Sequence, residues 1–286
     1  MPNAIGYVDD TSQLAHYELL AFIKTFCEAN GWTTNLYVTG SGTRELLMQA
    51  PGYVGPDGAV PAFVGFRAYH SVPSDYYNIS VAGFTGYVPG NSFATQPGYY
   101  ESGIPTHNQR IDYWMTINDR RLAFGLKVGT PVYEAGYVGY ALPYATPRQF
   151  PYPLVVGGML AGVPATRYSD TSHSFYPKGN RANLGLRWIN GTWTTPHAHP
   201  WTNGYLAGGN GIRPSDGGAT AYYPLPRVIL HDAAANLYGE LEGVHYMTGF
   251  NNVVENTLVI GGETYVVIQD VWRTGFVDYL ALRLEP

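Results

Sequence analysis

The chain holds a single cysteine, Cys27, and lysine occurs only at Lys24, Lys127 and Lys178. A lone cysteine excludes an intramolecular disulfide, and its place in a helix-like segment predicts a buried, inert thiol. Charged residues are scarce as well, at 13%, about half the usual share of roughly 25%. With a net charge of −5 and a pI near 5.9, the chain lacks the Lys and Arg surplus that sequence-independent binding to phosphates needs, so no direct nucleic-acid contact is expected. Long apolar runs are missing: Leu154 to Pro164 is too short and too Gly-rich to span a bilayer, so no membrane contact is expected. Met1 to Asp10 has no basic stretch and carries Asp9 and Asp10, which reads as a protein made and folded in a cytoplasm. Long helices are excluded by punctuation, with 35 Gly and 21 Pro.

What the chain does have is aromatic surface: 25 Tyr, 11 Phe and 6 Trp. Tyr joins a large contact area to a polar tip, which suits a surface that meets a partner. Positive charge comes mostly from Arg, whose planar fork is the better group for interface ion pairs.

The clearest pattern is a β-hairpin. Ile111, Tyr113, Met115 and Ile117 alternate with Asp112, Trp114 and Thr116, and Leu122, Phe124, Leu126 and Val128 alternate on the return. With Asn118-Asp119 as a two-residue turn, Met115 falls opposite Leu122, Tyr113 opposite Phe124 and Ile111 opposite Leu126. The spacing also predicts one helix over 10–30, with Asp10 as N-cap, Gln13 three residues on, and Asn30-Gly31 as the stop. Its apolar stripe is Ala15, Leu19, Phe22, Ile23 and Phe26. Strand-like runs follow at Leu36-Val38, Arg44-Gln49, Ala62-Tyr69 and Tyr77-Val81, expected to form an antiparallel sheet with the hairpin under the helix. Near the end, Val253-Ile260, a Gly261-Gly262 turn, Glu263-Val271 and Phe276-Leu284 read as a meander with Leu280, Leu282 and Leu284 on one face. No 20–50-residue period recurs, which argues against solenoids and propellers. The expected fold is mainly β, with antiparallel, sandwich-like sheets, one N-terminal helix and long ordered loops. Three regions are expected, possible parts of one continuous domain: 1–128, helix plus sheet; 129–220, rich in Tyr, Gly and Pro; and 221–286, the C-terminal meander.

Motifs with chemical potential are few. His197-Ala-His199 would project both imidazoles to one side of an extended strand, with His173, His231 and His245 as spatial candidates, but no acidic or Cys partner lies nearby. Loop or interface histidines are the plainer reading, and no metal is expected. Glu240 and Glu242 could share one side of a strand as glycosidase chemistry requires; a solvated strand face explains them equally. Gly90-Asn-Ser-Phe-Ala94 ends in Ala where a nucleophile elbow needs Gly. Gly40-Ser-Gly42 lacks the Lys of a phosphate loop. The glycosylation patterns at Asn78 and Asn190 carry little weight in a chain without a signal peptide. No catalytic residue, metal ligand or cofactor is expected.

Tyr133, Tyr137, Tyr140, Tyr144 and Tyr152 cluster after the hairpin, with Trp193 and Trp201 further on. They suit packing within their own domain, anchoring of a symmetric oligomer, or stacking on glycans; the interface reading is the one carried forward.

The order of segments resembles a family of tailed-bacteriophage virion proteins. The resemblance rests on the N-terminal helix ending at Gly31-Trp32-Thr33, Gln96-Pro97-Gly98, the Tyr113-Trp114 hairpin, and Tyr133-Glu-Ala-Gly-Tyr-Val-Gly-Tyr140. Pro151-Tyr152-Pro153, Gly157-Gly158, Leu258-Val-Ile-Gly-Gly-Glu-Thr-Tyr265 and Asp278-Tyr-Leu-Ala-Leu-Arg283 continue it. It implies a non-enzymatic part of the particle, and leaves open the neck or collar, the tail, the baseplate and the head surface. Such a protein would be located in the virion and partnered by copies of itself and by other phage structural proteins. A receptor- or glycan-binding module on the virion surface is the alternative.

Overall fold

A computed structural model describes residues 2–40, 42–55, 58–144, 153–170, 172–178, 181–188, 191–201, 226–234, 236–249, 252–275 and 277–284. The chain opens with strand β1 (Asn3–Val8) and helix α1 (Ala15–Ala29). A meander follows: β2 (Thr33–Val38), β3 (Arg44–Gly55), β4 (Gly58–Ser71), β5 (Tyr76–Phe84) and β6 (Tyr100–Thr106) pair in sequence order as a five-stranded sheet. The hairpin is β7 (Ile111–Ile117) and β8 (Arg121–Lys127), joined by β9 (Tyr133–Tyr140). After the short β10 (Leu142–Pro143) come β11 (Leu154–Gly157), β12 (Leu184–Arg187) and β13 (Trp193–Thr194). These make a second, seven-stranded sheet in the order β1-β7-β8-β9-β11-β12-β13, so strands on both sides of residue 129 share one layer. The third sheet orders β14 (His197–His199), β15 (Arg227–His231), β16 (Leu237–Met247), β19 (Tyr279–Leu284), β18 (Glu263–Gln269) and β17 (Thr257–Ile260), with β10 on β16. The fold is mainly β, every strand pair is antiparallel, and α1 is the single α-helix among the described residues.

The seven-stranded sheet is the middle layer. Close approaches show what lies on each face. A side chain at Gly136 of β9 would meet Phe124 and Ile104 on the β6 side, and one at Gly125 of β8 would meet Ile268 of β18. The helix lies on the same side as the meander: Phe22 stacks on Tyr113 with ring centroids 4.4 Å apart, and Ala15, Leu19 and Ile23 are buried in the shared core. Alternation along β7 explains this division. Ile111, Tyr113, Met115 and Ile117 face the helix and meander, while Asp112, Trp114 and Thr116 face the third sheet.

Several sequence expectations need correction. The hairpin faces stand, but the pairing is displaced by two residues: Tyr113 lies opposite Leu126, Met115 opposite Phe124 and Ile117 opposite Leu122. Asn118 is the reason. Its Oδ1 accepts from the backbone N–H of Arg120 (2.8 Å) and Arg121 (3.0 Å), which moves the turn onto Asp119-Arg120. A two-residue shift keeps every side chain on its face, so the apolar pattern could not reveal it. The hairpin also belongs to a different sheet from the strands between 33 and 84. The helix starts at Ala15, not near Asp10, and its N-cap residue is Leu14. Asp9 and Thr11 hold each other locally instead, the Thr11 hydroxyl donating to Asp9 Oδ1 at 2.7 Å. The stop at Asn30-Gly31 is as expected, with Gly31 left-handed at φ 83°. In the C-terminal meander, residues 253–256 and 270–275 lie outside strands, while Gly261 (φ 62°) and Gly262 (φ 87°) make the anticipated turn. Leu280, Leu282 and Leu284 are all buried.

Candidate functional site

The aromatic candidates are mostly inside. Tyr133, Tyr137 and Tyr140 on β9, together with Trp201, are buried against their own chain, so packing within the domain replaces the interface reading for these residues. Trp193 is half-buried, stacked on Tyr100 at 4.7 Å, with Nε1 donating to the Gly98 carbonyl. Tyr144 is 47% exposed and donates to Glu240 Oε2 at 3.0 Å. Tyr152 lies outside the described residues. A strand buried on both faces cannot be told from a sticky surface when five of its eight residues are Tyr or Gly, which is why the sequence pattern did not reveal the depth of β9.

The carboxylate pair is neutralised. Glu240 accepts from Arg227 at 2.9 Å. Glu242 takes a two-point contact from Arg120, at 2.5 and 3.2 Å. Burial works to raise the Glu242 pKa, but the Arg120 hydrogen bond and the Arg121 charge outweigh it and hold the group below the usual carboxylate value. A general acid requires the reverse. His197 stacks on His231 at 5.1 Å, whereas His173 bonds Glu134 and His245 meets Tyr265 edge-on. Among the described residues no group of three or more His, Cys, Asp or Glu is placed to hold a metal. Cys27 is buried, and burial drives its thiol pKa up.

Two surface features emerge from the fold. The first is an arm. β2 leaves β3 after Gln49, and β5 pairs with β4 only from Phe63 onward, so the β3–β4 hairpin runs past the meander as a two-stranded ribbon. Its base is pinned. Gly52 N–H donates to the Asp119 carbonyl (2.7 Å), Tyr140 hydroxyl to the Pro61 carbonyl (3.0 Å), and the Tyr53 and Tyr140 rings meet at 5.8 Å. Beyond these anchors Val54, with Ala59 opposite it, is 87% exposed on one face of the ribbon, and Val60, opposite Tyr53, is 38% exposed on the other. From Pro51 to Pro61 the sequence has one charged residue, Asp57.

The second feature is a groove where the third sheet stops short of β1. Its floor is the outward row of the middle sheet, with Ile5 beside Trp114, and Tyr7, Asp112 and Lys127 aligned across β1, β7 and β8. A cavity of about 560 Å³ over this floor is bordered also by Arg110, Thr130 and Glu255. A second cavity of about 280 Å³, lined by His107 and Tyr168 among others, shares Arg110, Asp112, Lys127 and Thr130 with it. Charged groups here are paired: Arg110 to Asp112 at 2.7 Å and Lys127 to Glu255 at 2.7 Å. The Arg110 guanidinium also covers Tyr7 at 4.0 Å.

Tyr133, buried below this groove, holds Glu255 at its border. Its hydroxyl donates to Glu255 Oε1 at 2.6 Å, and its backbone exchanges two 2.9 Å hydrogen bonds with Val271. Both partners are left-handed non-glycine residues, Glu255 at φ 67° and Val271 at φ 60°. For a β-branched residue that geometry is an outlier, and such strain concentrates where a site must be held in place. No property of the sequence marked Glu255 or Val271 for this conformation.

Buried ionic groups form a third feature. Glu134 and His173 are fully buried and bonded at 2.8 Å. Beside them Asp270 accepts from Ser174, the Phe175 N–H, Lys178 and Arg273 at 2.7–3.0 Å. This cluster ties the 173–178 loop to β9 and to the end of β18. It is a structural tie: every donor around Asp270 points at protein. No protein-family model matches the chain, and no curated protein matches it closely.

Proposed function

We propose that the protein is a non-enzymatic structural component of a tailed-phage virion, assembling with copies of itself and with other virion proteins at the neck or collar or in the tail. The resemblance described above supplies the setting. The observation that carries the assembly reading is the β3–β4 arm. Exposed ribbons in soluble proteins are normally blunted by Lys, Glu or inward charge. This one carries Val54, Ala59 and Val60 in the open, with one charged residue between its prolines. An isolated two-stranded ribbon gains nothing from that surface; buried by a neighbouring subunit, Val54 is worth about 1.5–3 kcal/mol and the already half-covered Val60 about 1 kcal/mol. Repetition of such contacts around a ring turns modest pairwise affinity into stable assembly.

The test has two parts. Light scattering on the full chain gives an oligomer, and Val54→Asp with Val60→Asp returns it to monomer with unchanged circular dichroism. Mass spectrometry of purified particles finds the protein in stoichiometric copies. Absence from mature particles, or a wild-type monomer at all concentrations, refutes the proposal.

A further inference from the structure

We propose that the groove between β1, β7 and the 253–256 loop is a binding site for a neutral oligosaccharide. This does not rest on the assembly role, and it uses a different surface from the arm. The argument begins with shape. At about 560 Å³ the cavity falls in the size range of small-ligand sites. It lies over the face of the middle sheet, so a strand added in the plane of the sheet to the β1 edge would not fill it.

Its chemistry is mixed in a specific way. Ile5 and Tyr7, 58% and 54% exposed, and the half-buried Trp114 offer apolar and aromatic surface, with Arg110 lying over one face of the Tyr7 ring. The C–H-rich face of a pyranose packs on such rings, its slightly positive hydrogens against the negative π face. Around them stand Arg110, Asp112, Lys127 and Glu255, which supply donors and acceptors side by side. Sugar hydroxyls both donate and accept, so they can bridge an Arg–Asp or a Lys–Glu pair without leaving either charge unsatisfied.

Charge balance narrows the ligand class. Each cation in the groove already has an anion, Arg110 with Asp112 and Lys127 with Glu255, and the whole chain carries −5. An acidic polysaccharide or a nucleic acid would have to compete with those carboxylates against an unfavourable net field. A neutral chain meets neither cost. The strained backbone at Glu255, held by the Tyr133 hydroxyl, fixes one of the two acceptors before any ligand arrives. Tyr133 is therefore a positioning residue.

The experiment is calorimetric titration of the purified full chain with maltohexaose, cellohexaose and chitohexaose, and with oligogalacturonate as the acidic comparator. At least one neutral probe binds, with a dissociation constant of about 1 mM or tighter. Trp114→Ala and Tyr7→Ala each weaken that binding about tenfold or more, and Tyr133→Phe weakens it severalfold while the oligomeric state stays as in wild type. Tyr7 is exposed, so its replacement reads the site even if the Trp114 variant fails to fold. No heat from any neutral probe up to about 10 mM, binding of oligogalacturonate alone, or neutral binding unaffected by Tyr7→Ala overturns the proposal. So does a groove filled by a second copy, seen as self-association that Tyr7→Ala abolishes.

Discussion

Replacing Glu134 with Gln should remove the alkaline fall in this protein's stability. In the folded chain Glu134 Oε1 bonds His173 Nε2 at 2.8 Å, and neither Glu134 Oε2 nor His173 Nδ1 has a hydrogen-bond partner. Burial raises the Glu134 pKa to about 7, moderated by the His173 charge. Burial opposes charging of His173, but the Glu134 carboxylate outweighs it and raises that pKa too. Both folded-state values therefore lie above their unfolded values of 4.5 and 6.5, so the folded pair holds protons that the unfolded chain releases. Stability from this pair is present at lower pH and is lost as pH rises through the folded values. His16, His70, His107 and His199 act in the opposite sense, centred at and below 6.5, and the raised Cys27 thiol adds its own loss only towards pH 9, which leaves the range from about pH 7 to 8 to this pair. There each excess proton is worth up to about 1.4 kcal/mol per pH unit, or about 2–4 °C in Tm for a chain of this size. In Glu134→Gln that carboxylate is gone, and burial, helped by the Arg273 charge, outweighs the Asp270 carboxylate at His173 and pushes its folded pKa below the unfolded value. The fall between about pH 7 and 8 disappears, and the contribution of His173 becomes a loss of stability on acidification. Differential scanning calorimetry at half-unit steps from pH 5.5 to 8.5, wild type against variant, measures both slopes. An unchanged alkaline slope in the variant refutes the shared-proton reasoning.

The remaining predictions concern the interior. His16 is buried with both ring nitrogens unpartnered, and burial depresses its pKa to about 3; neutral burial is lost as pH falls, so His16→Phe should raise stability at pH 4 relative to pH 7 by up to about 3 kcal/mol, read by urea melts at both values. Asn118→Ala removes the acceptor for two backbone N–H groups at the hairpin turn and should cost about 1–2 kcal/mol in the same assay. Gly125→Val places a side chain 2.6 Å from Ile268 Cδ1 and should cost about 1–3 kcal/mol; the pair Gly125→Val with Ile268→Ala should recover part of that, and no recovery would show that the two sheets do not meet there.

Local signals were readable in the sequence, and long-range ones were not. Alternation assigned the correct face to each residue of β7 and β8, because burial on one side imposes a period of two. The pairing escaped by two residues because an Asn side chain decided the turn, and a period of two is blind to an even shift. Gly261-Gly262 was legible for the opposite reason: both residues sit at positive φ, where Gly is the favoured choice. The partition of strands among sheets was hidden, since nothing local says that β7 pairs with β1 and not with β6. Site residues followed the same rule. Arg120 lies 122 positions from its partner Glu242, and Tyr133 is equally far from Glu255. The Tyr-rich segment was visible as a composition but not as a depth.

The position of β1 has a consequence for the order in which the molecule is made. The meander from β2 to β6 pairs strands that are neighbours in sequence, three of its four links being short and the fourth running over residues 85–99, so it can form as soon as it leaves the ribosome. Among the described residues β1 has its one strand partner in β7, with Asn3 opposite Thr116. It stays unpaired while roughly one hundred residues emerge, about 5–20 s at common rates of synthesis. During that interval a strand ending in Tyr7 and Val8 is free to pair with the β7 of another nascent chain. A protein made in many copies at one time would thus be exposed to strand exchange at its first segment, and a slower or faster translation of residues 9–110 would tune how often that happens.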